Sequence, residues 1–136
     1  MGAAERTALA SLVLAAACAS PPYEPCPVPW QGPLPPDVFQ RCREQLLRGY
    51  PGLLVADAEP LRLQTAWLAT SDPPGERRAA VFLDDRRQPP GLAVVVELRW
   101  LRESWITTPG WSEVHGDDAA ERELAAAIAA ALKAPR

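Results

Sequence analysis

The chain has a single histidine, three cysteines with no C-x-x-C pair, and no apolar run long enough to cross a bilayer as a helix. A membrane-spanning helix needs roughly 20 apolar residues, whereas the longest run here, Thr7 to Ala17, is eleven. The scarcity of histidine and paired cysteine removes the usual zinc-ligand spacings, so no metal ligands and no cofactor are expected. Positive charge is also in short supply: Lys and Arg number 14 against 17 Asp and Glu, a net charge of -3. No broad basic field exists to hold phosphates, and nucleic acid is not an expected partner. Missing too are a nucleophile elbow, a phosphate-cradling glycine loop and a histidine motif with metal spacing, which makes an enzyme the lesser expectation. Ser112, His115, Asp117 and Asp118 lie close in sequence, but neighbours in sequence are rarely assembled into a catalytic triad.

What is abundant is proline, and it is unevenly spread. Eight of the sixteen prolines fall between Pro21 and Pro36, a density that excludes a helix or a central strand and predicts an extended tether. At about 3.1 Å per residue, a polyproline stretch over 19–36 would reach on the order of 55 Å. Ahead of it, Arg6 and the amino terminus precede the short apolar run and a small-residue ending, the layout of a secretory signal peptide over residues 1–17.

The segment Leu14-Ala15-Ala16-Ala17-Cys18 resembles the lipobox of bacterial lipoproteins, in which the cysteine is diacylglycerated and becomes the new N-terminus. The chain departs from that pattern at Ala15, where leucine is more usual. The resemblance implies cleavage before Cys18, palmitate or related acyl chains on Cys18, and a membrane anchor. Cysteine parity agrees with it. In an oxidising compartment three cysteines leave one odd thiol, and lipid on Cys18 frees Cys26 and Cys42 to pair as a disulfide. Each buried acyl methylene contributes about 0.8 kcal/mol, so two or three chains suffice for stable anchorage. Ala19, in place of the aspartate that favours inner-membrane retention in that family, points to the periplasmic side of the outer membrane where two membranes exist.

Residues 37–134 read as one α+β domain in α-β-β-β-α order. Asp37 can cap a helix with Val38, Phe39, Cys42 and Leu46 on one face, closed at Gly49. Leu61, Leu63, Thr65, Trp67 and Ala69 alternate as one inward strand face; Ala79, Val81 and Leu83 form a second, and Val94, Val96, Leu98 and Trp100 a third. Leu53 to Ala56 is a candidate edge strand. The charges Glu76, Arg77, Arg78 and Asp84, Asp85, Arg86, Arg87 are expected at solvated hairpin ends. A last helix over about 118–133 opens with Asp118 and Glu121 as a box-like cap and carries Leu124, Ile128 and Leu132 as its stripe. These elements predict a two-layer sandwich, a three- to four-stranded antiparallel meander covered on one face by two helices. Their order also resembles that of the small helix-grip and related accessory domains of outer-membrane assembly lipoproteins, a likeness of element order carried by no motif.

Among five tryptophans, Trp105 and Trp111 in the loop after the last strand form a candidate binding surface for a peptide, glycan or partner protein, with an envelope protein or wall component as the expected partner. The alternative is that these rings plug the open end of the core. The expected role is a non-catalytic binding or assembly-accessory domain of a cell-envelope lipoprotein. An enzyme acting on envelope polymers and a soluble exported domain without lipid are the alternatives.

Overall fold

The computed structural model describes residues 24–71, 74–102 and 110–135. In chain order the elements are β1 (Cys26–Pro27), α1 (Val38–Leu47), β2 (Leu53–Ala58), β3 (Leu61–Thr65), β4 (Leu68–Ser71), β5 (Pro74–Asp84), β6 (Gly91–Arg102), β7 (Gly110–Trp111), β8 (His115–Gly116) and α2 (Asp118–Lys133). Every strand pairing is antiparallel, in the order β1-β6-β5-β3-β2; β4 adds to β5, while β7 and β8 add to β6. Short connections leave the central strands no route to parallel pairing, so the expected α+β meander is the observed fold. The edge strand at Leu53 is real and runs on to Ala58.

Both helices lie on one face of the sheet. Cys42 and Leu46 from α1 and Ala125, Ile128, Ala129 and Leu132 from α2 meet Leu61, Leu63, Ala79, Val81, Leu92, Val94 and Val96 in one core. The period-2 pattern of β5 and β6 thus sets the inward face correctly at its centre. It fails at Leu83, which is exposed although its cross-strand partner Leu92 is buried.

The expected cap residues have other duties. Asp37 stands at the N-cap of α1 with no side-chain cap bond; its carboxylate instead accepts from Arg41 Nε at 2.9 Å. Arg41 also donates to the carbonyls of Ala131 at 2.7 Å and Ala134 at 2.6 Å, closing the end of α2, where helix carbonyls lack partners. At the start of α2 the cap is Asp117 rather than Asp118, accepting from Ala120 N at 3.1 Å. With Asp117 as the cap, Glu121 falls one position past the capping-box site. It is buried, 2% exposed, and accepts from the β6 amide of Val96 at 3.3 Å.

Two larger differences shape the molecule. The stretch expected as one strand, Leu61 to Thr70, is broken at Ala66 and Trp67. From the pair Gln64↔Ala80 to the pair Leu68↔Arg77, the β3–β4 side advances one residue more than β5, which makes a bulge. Thr65 Oγ1 accepts from Ala79 N at 3.0 Å across the break. The extra residue inverts the facing, so Leu68 points to the helix side and Trp67 to the helix-free side, opposite to the expectation.

The folded unit also begins before Asp37, inside the expected tether. Cys26 and Pro27 pair with Val94 and Ala93, Val28 is buried, and Trp30 and Leu34 pack against the core. Prolines are compatible with this because β1 is an edge strand: Val28 N donates to Leu92 O at 2.9 Å, and no ladder bond is asked of Pro27 N.

Candidate binding face

On the helix-free side, β5 and β6 carry the same short pattern, Glu76-x-Arg78 and Glu97-x-Arg99. Antiparallel pairing sets Glu76 opposite Arg99 and Arg78 opposite Glu97, so like charges never face each other directly. The contacts follow: Arg99 Nη2 to Glu76 Oε1 at 3.1 Å, and Arg78 to Glu97 Oε2 at 2.9 Å from Nη2 and 3.2 Å from Nε.

The bulge delivers Trp67 onto this square of charges. The Arg78 and Arg99 guanidinium groups lie 4.4 and 4.1 Å from its ring centroid, and Arg99 also stands 4.4 Å from the ring of Trp111. Cation–π contacts of this kind contribute about 0.5–2 kcal/mol each, more as water is excluded. Trp111 reaches Arg99 because β7 pairs Trp111 with Leu101, on the same side of the sheet. Its ring nevertheless remains 46% exposed. On the opposite side of β6, Trp100 is 38% exposed and stacks on His115, centroids 4.6 Å apart and planes 12° from parallel.

Ser112 ties the end of β7 to β6. Its amide donates to Trp100 O at 2.7 Å, while its hydroxyl accepts from Trp100 N at 2.9 Å and donates to Glu113 O at 2.9 Å. With Ser112 so committed, His115 on Trp100 and Asp117 capping α2, the residues near in sequence do not form a triad. Of the two tryptophans expected as a surface, Trp111 is half-exposed at the sheet end and Trp105 lies outside the described residues, as does Cys18.

Cys26 and Cys42 are free thiols and not at disulfide distance, so the expected staple is absent from this structure. Cys42 sits 0% exposed in the core on α1, where burial pushes its thiol up to about 12. Cys26 lies in β1; burial, then Glu121, raises its thiol above the usual range. The strap that carries Cys26 is held by β6 rather than by α1, which is why the two sulfurs do not meet.

Among the described residues no helix is long and apolar enough to cross a membrane, and no three His, Cys, Asp or Glu side chains gather as a metal site. Comparison with family models, curated proteins and solved structures gives no match. The sequence pointed to Trp111 but missed Trp67, Arg78 and Arg99. The signal for the arginines was present as the repeated Glu-x-Arg on two adjacent strands.

Proposed function

We propose that the chain is a cell-envelope lipoprotein, anchored through Cys18, whose domain is a non-catalytic module binding an envelope protein or wall component through the tryptophan end of its sheet. The anchor rests on the lipobox-like segment and on cysteine parity. The observation that carries the binding role is Trp111: a ring 46% exposed, yet held against the Arg99 guanidinium. A large side chain fixed before the partner arrives loses little freedom on binding, and tryptophan and arginine are the residues that dominate binding surfaces.

Two substitutions test the two halves separately. The wild-type protein is expected to take up labelled palmitate and sediment with membranes, and Cys18→Ser to do neither. A Cys18→Ser protein that still sediments with membranes after export contradicts the lipid anchor. Trp111→Ala is expected to stay anchored and folded while losing the envelope component that co-purifies with wild type. Unchanged co-purification contradicts the binding role of this end.

A further inference from the structure

The helix layer stops short of one end of the sheet. Beyond the start of α2, a cleft of about 540 Å³ opens between Ala69–Ser71 of β4, Arg77 of β5, Leu98, Arg99 and Trp100 of β6, and Asp117. That volume is within the range of small-ligand sites. The groups around it are unlike the aliphatic core a few residues away. Arg77 occupies the inward parity of β5, in line with Ala79 and Val81, yet among the described residues no hydrogen bond or ion pair reaches its side chain, and its buried Nε has no partner. A buried donor without an acceptor is uncommon in a folded protein and calls for an explanation. Arg99 Nε is also unpartnered, but that guanidinium is already held by Glu76 and two indole rings. Arg77 has no such company.

Two further features narrow the ligand. Trp100 gives the cleft a flat aromatic wall, steadied by the stacked His115. Asp117 adds a carboxylate, whose Oδ1 accepts from Ala120 N at the positive end of α2. Arg77 is left as the charge to be matched, while Asp117 still stands against a second negative charge on the ligand. Tyr50 borders the same groups: burial pushes its phenol above the usual range, Arg77 acting downward and Asp117 upward.

We propose that this cleft binds a small monoanionic carboxylate, its two oxygens on the Arg77 guanidinium and its ring against Trp100. A planar carboxylate matches the guanidinium fork, whereas a dianionic phosphate brings a second charge towards Asp117. The inference rests on reading the domain as a binding module, and it adds a ligand class to that module.

The test is a titration of the full-length chain in detergent micelles, with tryptophan indole N–H signals followed by NMR. The probes are benzoate and glucuronate as ring-bearing carboxylates, benzamide as the neutral analogue of benzoate, and phenyl phosphate as a dianion. Saturable movement of the Trp100 signal is expected with benzoate, glucuronate or both; which one saturates first separates an aromatic acid from an acidic sugar as the source. Arg77→Gln should weaken that binding by about ten- to a hundredfold, the loss of a charge-assisted pair, with the unfolding midpoint little changed. Benzamide binding as tightly as benzoate, phenyl phosphate binding more tightly, an Arg77→Gln protein that binds like wild type, or no saturation by either carboxylate would each overturn the proposal. Retained partner capture by the same protein would then keep the binding module and discard only the cleft.

Discussion

The two faces of the sheet are built from the same strands and differ in what covers them. On the helix side, Val81, Val94 and Val96 alternate under Leu46, Ile128 and Leu132, all buried, and stability comes from area removed from water. On the other side the same β5 and β6 present Glu76, Arg78, Glu97 and Arg99, with the indole rings of Trp67 and Trp111 over the arginines. The contrast teaches that a sheet can be closed on one face by packing and given shape on the other by paired charges and aromatic rings. These paired charges keep only about a quarter of their side-chain surface exposed, and opposite-charge cross-strand pairs contribute about 0.2–1 kcal/mol each. Their effect here is to fix where Trp67 and Trp111 stand.

The largest loss is expected from a cut into the sealed face. Ile128→Ala, at a fully buried position, should lower unfolding stability by about 2–5 kcal/mol in urea titration. Trp111→Ala on the open face should lower it by no more than about 1 kcal/mol, with the lost cation–π contact the main part. If the two costs were equal, the open face would be a second core.

A smaller effect is expected where helix meets sheet. Glu121→Ala removes the acceptor of the buried Val96 amide and should cost about 1–3 kcal/mol, with Glu121→Gln recovering part of it because an oxygen acceptor remains. Equal loss in both variants would show that charge, not the hydrogen bond, matters at that position.

The sealed face should also show itself in alkali. The Cys42 thiol is pushed up to about 12 in the folded protein, against 9.0 for an unburied thiol. Its contribution is therefore intact below about pH 9 and is lost as the pH rises, because the unfolded chain releases the proton first. Cys42→Ala should flatten that alkaline decline relative to wild type, read as the unfolding midpoint between pH 8 and 10, values set by the thiol range. A decline as steep as wild type would place its cause elsewhere. The smallest effect concerns the paired charges: a double-mutant cycle on Glu76 and Arg99 should return a coupling of about 0.2–1 kcal/mol. A coupling well above that would mean the open face bears stability of its own.

Much of the sealed face was legible in the sequence, because alternation in β5 and β6 and the four-residue spacing of Leu124, Ile128 and Leu132 follow directly from strand and helix periods. Less of the open face was, and the reasons are local. One extra residue at Ala66–Trp67 inverts a strand's facing without disturbing the look of its alternation, so the pattern alone puts Trp67 on the wrong side. Glu76 and Arg78 read as the end of a hairpin because β5 starts earlier than its apolar residues do. The strap from Cys26 to Leu34 looks like a tether in sequence, since proline density excludes central strands but not an edge pairing whose partner lies far along the chain.

Photo-crosslinking in intact envelopes of the producing cell tests where the domain meets its partner. A photoreactive residue in place of Trp111 should give a discrete adduct with an envelope component, and the same residue in place of Gln45, on the helix layer, should give none. Adducts from Gln45 with none from Trp111 would contradict the claim that the tryptophan end is where this domain meets its partner.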